Sequence, residues 1–319
     1  MQSEVPETFL PDQRQEVLPS PPVVIAVASQ KGGVGKTVTT VNLACRLAMD
    51  GANVAVIDLE PQAQAGSALG VELEGELIKR SLGLVLQQTT QNIPGLPAIA
   101  EIMFDVTGVL DQYEDTGKLY VIASEESTMT AAQNAFITQP YTATPTLRRL
   151  ILSQLPGVVD YVLIDTPPAV SSLNALATAA ADYVVTLCNP EYQTVKGAFL
   201  LKPTVEAIED LTRGECRPVF LGAILNCSNP ESKWTVQDVA IQNQMVQGGL
   251  LPFKTDIRRD VRISESYLHQ KPVVVRYLNH APGKLYTSLV EEVLTRIDTV
   301  PSDWEVAPAL TFEEETIDA

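Results

Sequence analysis

Residues 23–40 read V-V-I-A-V-A-S-Q-K-G-G-V-G-K-T-V-T-T, and this stretch decides the fold class. Residues 23–28 are apolar and predict a buried parallel strand. A glycine-rich turn follows over 31–37, and the residues after it have the spacing of a helix that closes at Gly51. Strand, glycine-rich turn and helix in this order are typical of a loop that binds phosphate groups.

The turn contains the residue types that phosphate binding requires. Gly32, Gly33 and Gly35 lack Cβ atoms, so the backbone can adopt positive φ there and approach an anion closely. Backbone N–H groups at the start of the helix and the positive end of its dipole strengthen the attraction. Lys36 is placed to contact the β and γ phosphates, and the Thr37 hydroxyl to bind Mg²⁺. The residues predicted to hold the nucleotide here are Gly32, Gly33, Val34, Gly35, Lys36, Thr37 and Val38.

Two more apolar runs end in an acidic residue. Residues 54–58 read V-A-V-I-D, and residues 161–165 read Y-V-L-I-D. Both runs predict buried strands, and ligands of open α/β sheets bind at the carboxyl ends of the strands. Asp165 has the position of the acid in a Walker B strand, which holds the water shell of Mg²⁺.

The K-G-G-V-G-K-T form of the turn departs from the common G-x-x-x-x-G-K-[ST] pattern, because Gln30 occupies the first position. It resembles the deviant Walker A loop of the ParA/MinD family of ATPases, which includes Soj-type partition ATPases and carboxysome-positioning relatives. The resemblance implies a P-loop NTPase fold, with a doubly wound, mostly parallel α/β sheet flanked by helices on both faces. It also implies ATP and Mg²⁺ as cofactors, and a homodimer in which Lys31 contacts the phosphates bound to the partner.

The acidic residues fit the same family with one departure. Residues 58–64 read D-L-E-P-Q-A-Q, which resembles the family's D-L-D-P-Q-x-N segment. The resemblance implies that Asp58 helps to hold Mg²⁺ through water, and that Glu60 orients the attacking water in place of an aspartate. Glutamate places the carboxylate about one methylene further along a more flexible stem, so we expect slower hydrolysis than is usual in the family. A solvated turn after the strand is the alternative for both residues.

Three later segments concern the base and the dimer. A strand is predicted over 219–226, and the resemblance implies that Asn226 reads the edge of adenine with its amide. A short strand is predicted over 250–253, where the backbone at Pro252 flanks adenine in relatives. Residues 189–197 resemble a segment at the family's dimer face. The alternatives are a turn asparagine at 226 and an ordinary strand-to-helix turn at 189–197.

The basic segment, which we define as residues 254–276, contains six basic side chains and three acidic ones. In partition ATPases the comparable region contacts the DNA backbone without reading sequence, and such contact needs only mobile cations on one face. A solvated surface whose arginines pair with neighbouring acids is the alternative. The residues predicted to bind DNA are Lys254, Arg258, Arg259, Arg262, Lys271 and Arg276.

Length and composition favour one large domain with tails. The 319 residues, 45% of them hydrophobic, divide into a disordered arm over 1–22, an ATPase domain over 23–297 and an acidic tail over 298–319. The two tails carry −3 and −7 of the net charge of −17, so overall acidity is a poor guide to any one face. No apolar run is as long as a membrane span, so we expect a cytoplasmic, nucleoid-associated protein with no membrane partner. Four scattered cysteines and two histidines argue against zinc or an iron–sulfur cluster.

The remaining elements are predicted from spacing alone. A strand is expected over 119–123, and helices over 146–155 and 287–297. In the helix over 146–155, the apolar spacing places Arg148 and Arg149 on the side that faces solvent. Residues 71–118 show no motif.

These features favour an ATP-dependent positional switch. Such a protein dimerises with ATP, binds DNA non-specifically and is released when a ParB-like or other small partner stimulates hydrolysis. Its cargo would be a plasmid, a chromosome origin or a protein organelle. A dimeric scaffold or switch with little turnover and no DNA binding is the alternative that Glu60 suggests. A metabolic synthetase or metal-cluster carrier is disfavoured, because cluster cysteines and a second substrate motif are missing from the sequence.

Overall fold

The structure is a computed structural model that describes residues 19–91, 98–138, 144–168 and 171–300. Most of the predicted arm over 1–22 and tail over 298–319 therefore lies outside the described residues. The strands are β1 (Val23–Ala28), β2 (Val54–Asp58), β3 (Met103–Asp105), β4 (Leu119–Ile122), β5 (Tyr161–Asp165), β6 (Tyr183–Cys188), β7 (Val219–Ser228) and β8 (Ile257–Arg258). In the described residues they form one sheet in the order β3-β4-β2-β5-β1-β6-β7-β8, which is parallel except for the β3–β4 pair.

Helices cover both faces of this sheet. They are α1 (Lys36–Met49), α2 (Gln64–Ala68), α3 (Leu82–Thr90), α4 (Glu126–Ile137), α5 (Thr146–Gln154), α6 (Ser172–Ala180), α7 (Tyr192–Glu206), α8 (Ile208–Leu211), α9 (Val236–Gln247), α10 (Val261–Leu268), α11 (Val273–Arg276) and α12 (Ala281–Thr299). The helices α1, α2, α11 and α12 pack on one face, and α3 to α7 with α9 pack on the other. None of the helices in the described residues combines the length and apolarity needed to cross a bilayer.

The central strand β1 shows why the apolar runs lie at the middle of the sheet. It pairs in parallel with β5 on one side and with β6 on the other. Val24 and Ala26 enter the core under one helical layer, while Ile25 and Val27 enter the core under the other. A strand covered on both faces needs apolar residues at every position, which explains the continuous run. The predicted doubly wound, mostly parallel α/β sheet with helices on both faces is confirmed.

One prediction about the sheet is wrong. Residues 250–253 do not form a strand, because Leu251 adopts a φ of +47° that interrupts an extended backbone. The segment contacts β7 through hydrogen bonds of Leu250 and Phe253 to Ala223, and the edge strand is β8 instead. The antiparallel strand β3 lies in the stretch where the sequence showed no motif.

The predicted position of Arg148 is also wrong. Its helix, α5, is present, and Arg149 lies outside and pairs with Glu215. Arg148, however, is only 6% exposed and donates to the Ala180 carbonyl oxygen and to Asp182 Oδ1, both at 3.0 Å. A charged partner on a neighbouring segment allows the guanidinium to be buried, and helical spacing cannot show such a partner.

The terminal helix is longer than its apolar spacing indicates. It begins at Ala281, six residues before the predicted start at 287, and has Pro282 in its first turn. Proline is favoured there because the first N–H groups of a helix have no partner within the helix. The helix continues through Thr299, past the predicted domain boundary at 297.

Candidate nucleotide-binding site

The glycine-rich loop joins β1 to α1 at the carboxyl edge of the sheet. Gly33 and Gly35 adopt left-handed backbone with φ of +73° and +91°. Gly32 does not adopt a positive φ. A Cβ atom on Gly32 would lie 3.6 Å from the Pro168 side chain, which is an ordinary van der Waals distance. Gly35 is the N-cap of α1 and no side chain caps the helix, so the first amides face the loop. This arrangement suits a bound phosphate.

Lys36 folds back beneath the loop. Its Nζ donates to the carbonyl oxygen of Lys31 at 3.3 Å, and the residue is only 6% exposed. Burial lowers the pKa of Lys36, whereas the nearby carboxylates of Asp165 and Glu60 raise it. The ammonium therefore lies between the loop and the acidic side chains, where it would contact a phosphate held by the loop.

The two strand-end aspartates are neighbours. Asp58 of β2 and Asp165 of β5 are register partners, and both are fully buried. Asp58 accepts hydrogen bonds from the N–H groups of Glu60 at 3.1 Å and Gly66 at 3.0 Å. Burial is the main reason why the pKa of Asp58 is raised to about 7. The pKa of Asp165 is raised well above its usual range by burial and then by the charge of Asp58.

These side chains fit a magnesium ion. Both carboxylate oxygens of Asp165 are buried without a hydrogen-bond partner among the described residues. Unpaired buried carboxylate oxygens are costly unless a cation or a donor satisfies them. The hydroxyl of Thr37 and the carboxylates of Asp58 and Asp165 are hard oxygen ligands, which Mg²⁺ prefers. The three residues predicted to hold Mg²⁺ therefore converge at one place.

Glu60 lies at the same edge. It is 8% exposed, burial raises the pKa of its carboxyl group, and the charge of Lys36 acts in the opposite direction. Glu60 is therefore not a solvated turn residue, and its carboxyl group lies near the loop. Its predicted role with the attacking water stays a prediction.

Asn226 contacts the loop directly. Its Nδ2 donates to the carbonyl oxygen of Val34 at 2.6 Å, and the residue is buried. A Cβ atom on Gly35 would lie 2.3 Å from that nitrogen, so only glycine fits there. In this structure Asn226 holds the loop in place, while its predicted reading of adenine stays a prediction. The carbonyl oxygen of Pro252 accepts a hydrogen bond from Arg296 at 2.8 Å.

Lys31 is exposed on the outer side of the loop and lies against α7. A Cβ atom on Gly197 would lie 3.7 Å from Lys31 Cγ and 3.6 Å from Gln30 Cβ. At the start of α7, Tyr192 is 61% exposed. The segment that resembles a dimer face thus adjoins the lysine predicted to contact the partner.

The basic segment contains both paired and unpaired cations. Arg262 pairs with Asp260 at 3.1 Å, and Arg258 pairs with Asp256 at 3.8 Å. The other four predicted DNA contacts form no ion pair with the described residues; they are Lys254, Arg259, Lys271 and Arg276. All four are exposed. The predicted pairing of arginines with acids is therefore present for only part of the segment.

The structure adds three site residues that the sequence did not reveal. The hydroxyl of Ser124, after β4, donates to the carbonyl oxygen of Asp58, and its position after a predicted strand could have indicated it. The N–H of Gly66 also binds Asp58, and a Cβ atom there would meet the Val71 carbonyl oxygen at 3.0 Å. Tyr267 lies near Thr37 from a distant part of the chain, and no local signal indicates it.

Comparison with known proteins agrees with this geometry. The family model described as AAA domain matches residues 23–216. The chromosome-partitioning ATPase Soj of Thermus thermophilus is 30% identical over 277 residues, which cover 86% of this chain and 96% of Soj. The chain belongs to the ParA/MinD-type family of P-loop ATPases. The sporulation initiation inhibitor Soj of Bacillus subtilis is 27% identical to this ParA-family chain, over 85% of the chain and 97% of Soj.

Solved structures share the fold of this ParA-family chain. The ATP complex of a single-substitution variant of McdA from Cyanothece superposes with a TM-score of 0.71 at 20% identity, over 86% of this chain and 97% of McdA. MinD of Pyrococcus horikoshii with Mg-ADP gives a TM-score of 0.64 at 22% identity, over 85% of this chain and 95% of MinD. The resemblance inferred from the loop is confirmed, and the family includes members that bind nucleotide with magnesium.

Proposed function

We propose that this ParA-family protein is an ATPase that dimerises with ATP, binds DNA non-specifically and positions or segregates a cargo. The supporting observation is the convergence of Lys36, Thr37, Asp58 and Asp165 beneath the loop, with Lys31 exposed above it. The four converging residues would bind a magnesium-bound triphosphate. The exposed lysine is free to reach a second copy of the chain.

Some of the site residues bind the nucleotide and Mg²⁺, and others orient the reacting groups for hydrolysis. The loop amides and Lys36 would hold the phosphates, and Thr37, Asp58 and Asp165 would hold Mg²⁺. When bound, Mg²⁺ neutralises charge that develops on the phosphate oxygens. Glu60 orients water, while Lys31 supplies positive charge to the nucleotide of the partner. The longer glutamate stem makes hydrolysis slow until a ParB-like or other small protein stimulates it.

DNA binding is assigned to the basic segment, which the exposed cations support. Phosphate contact by four unpaired cations in each of two chains would produce sequence-independent binding that weakens steeply with salt. A plasmid, a chromosome origin or a protein organelle would be carried in this way over the nucleoid of the cytoplasm.

Co-sedimentation with random-sequence DNA tests this function. The wild type should bind DNA in ATP but not in ADP or without nucleotide, and should sediment as a dimer only in ATP. Lys31→Ala should bind a fluorescent ATP analogue normally yet remain a monomer that leaves DNA free. Lys233→Ala, at an exposed lysine outside the site, is the matched control. ATP-dependent dimerisation of Lys31→Ala at wild-type levels would contradict the assignment of Lys31.

A dimeric scaffold or switch with little turnover and no DNA binding is the second candidate. It is favoured by the burial of Glu60 near Lys36, because attraction to the lysine charge opposes the use of Glu60 as a water-orienting group. Single-turnover hydrolysis by the wild type and by Glu60→Asp distinguishes the two. A scaffold would show negligible hydrolysis and no DNA binding in ATP, and the aspartate variant would hydrolyse faster.

A further inference from the structure

Helix α10 presents exposed apolar side chains between unpaired cations of the basic segment. Val261 is 68% exposed and Leu268 is 83% exposed. The two residues are seven positions apart in the helix, so they lie on one face of it. Arg259 precedes the helix and Lys271 follows it, and both are exposed. These four residues are called the α10 surface below.

The acidic residues of the basic segment do not neutralise the α10 surface. Asp256 pairs with Arg258, and Asp260 pairs with Arg262. Glu265 accepts a hydrogen bond from a tyrosine hydroxyl at 3.2 Å. The two cations of the α10 surface form no ion pair with the described residues. They therefore stay available to an external anion.

The mixture of cations and apolar side chains on this surface fits an acidic peptide with large apolar residues. DNA phosphates use the cations alone, so Val261 and Leu268 would gain nothing from them. Carboxylates of a peptide would pair with Arg259 and Lys271. Apolar side chains of the same peptide would cover Val261 and Leu268 and remove their apolar area from water.

The chain itself contains a segment of this composition. Residues 301–319 follow α12 and lie outside the described residues. Their sequence has six acidic residues and no basic residue, and large apolar residues stand between the acids. The acids are Asp303, Glu305, Glu313, Glu314, Glu315 and Asp318, and the apolar residues are Trp304, Val306, Leu310, Phe312 and Ile317.

The end of α12 lies close enough to the basic segment for this stretch to reach it. Glu292 of α12 accepts hydrogen bonds from the N–H groups of Lys254 and Thr255, each at 2.8 Å. The helix ends at Thr299, about 10 Å further along its axis. An extended chain over 301–319 spans up to about 60 Å, whereas α10 is only about 12 Å long. The length of chain after α12 therefore exceeds what docking on α10 requires.

We propose that residues 301–319 dock on the α10 surface and compete with DNA for its cations. The inference rests on the proposed function, because it adds regulation to DNA binding at the same segment. Covalent attachment gives the docking residues a local concentration of about 1 mM. If the docked form makes up about nine-tenths of the molecules, the apparent affinity for DNA falls about ten-fold.

Trp304 reports docking in the full chain once Trp234, the other tryptophan, is replaced by phenylalanine. We expect acrylamide to quench Trp304 less in this chain than in the free peptide of residues 301–319. Leu268→Ser removes an apolar contact and should restore the quenching of the free peptide. Val246→Ser, at an exposed position on α9, is the matched control and should keep Trp304 protected. Both substitutions replace exposed side chains, so the fold should be retained.

Fluorescence anisotropy on random-sequence duplex DNA in ATP measures the competition. Leu268→Ser should tighten DNA binding by up to about ten-fold, and so should a full-length variant with Glu313, Glu314 and Glu315 all replaced by glutamine. Combining these changes should add little, because both break the same contact. General repulsion between acidic residues and DNA predicts no effect of Leu268→Ser, and that result would overturn the proposal.

The fluorescence readout separates failure of this inference from failure of the proposed function. If the proposed function is wrong, no variant binds DNA in ATP, yet Trp304 is protected in the wild type and loses protection in Leu268→Ser. If Trp304 is quenched as in the free peptide, or is protected equally in Leu268→Ser, the docking on α10 is refuted. Adding DNA in ATP to the wild type should expose Trp304, and continued protection with DNA bound would refute the competition.

Discussion

Asp58 and Asp165 lie directly opposite each other at the carboxyl ends of β2 and β5, and neither side chain is exposed to solvent. Asp58 is partly compensated by two backbone N–H groups, whereas the oxygens of Asp165 have no partner among the described residues. Such an arrangement is costly for folding alone but suits a divalent cation. The site therefore lowers the folding stability of the nucleotide-free protein and favours the binding of a divalent cation.

Asp165→Asn should separate these two effects. Because the substitution removes a buried, unpaired acid, the nucleotide-free variant should be more stable to urea at pH 8 by about 1 kcal/mol or more. Its Mg²⁺-dependent nucleotide binding should fall. Asp111→Asn, at an exposed position, should change stability by less than about 0.5 kcal/mol. A loss of stability in Asp165→Asn would show that the carboxylate has a stabilising partner.

The stability of the nucleotide-free protein should fall between pH 5 and 7 through Asp58. The pKa of Asp58 is raised to about 7 in the folded state, so the folded protein keeps a proton that the unfolded chain has released. The stability from this group is present at low pH and is lost as pH rises toward 7, by up to roughly 1.4 kcal/mol per pH unit.

Urea unfolding of the wild type and Asp58→Asn at pH 5, 6 and 7 measures this contribution. Asp58→Asn should lower the free energy of unfolding by a constant amount, because its hydrogen bonds are altered. Its free energy of unfolding should also fall less than that of the wild type as the pH rises. Asp105→Asn is the control: the pKa of Asp105 is lowered, mainly by its hydrogen bond with the Thr107 hydroxyl, so Asp105 is ionised in both states over this pH range and its variant should keep the wild-type pH profile. Parallel pH profiles for wild type and Asp58→Asn would exclude Asp58 as the titrating group.

Arg148→Ala should destabilise the protein strongly. It would leave the largely buried carboxylate of Asp182 without its cation, and breaking a buried pair typically costs about 3–5 kcal/mol. The neighbouring variant Arg149→Ala removes an exposed pair with Glu215 and should cost less than about 1 kcal/mol. Equal losses in the free energy of unfolding for the two variants would contradict the difference in burial between Arg148 and Arg149.

The unpaired cations of the basic segment should dominate the salt dependence of DNA binding. Arg259→Ala and Lys271→Ala should each lower the slope of log affinity against log salt by about 1. Arg262→Ala should have a smaller effect, because Arg262 is already paired with Asp260. Lys118→Ala, at a lysine just before β4 that pairs with Asp105, should leave the slope unchanged. Fluorescence anisotropy on random duplex DNA in ATP, over a series of salt concentrations, provides the slopes.

Local chemistry in the sequence was enough to predict the centre of this protein. The bounds of β1, β2 and β5 match the predicted strands, because a parallel strand buried on both faces must be a continuous apolar run. The phosphate loop could be identified because its glycines, lysine and threonine are contiguous. The family and the fold followed from that loop and were confirmed.

Only the tertiary structure decided which side chains face each other. The pairing of Asp58 with Asp165 depends on strand order and register, which no single segment encodes. Arg148 was expected outside and lies buried against Asp182, and the strand expected over 250–253 is interrupted at Leu251. Sequence spacing reports the hydrogen bonds within one element, but a partner from a distant element is determined by how the sheet is assembled. The sequence thus determined the loop and the chemistry it can bind, and the fold determined the neighbours of that loop.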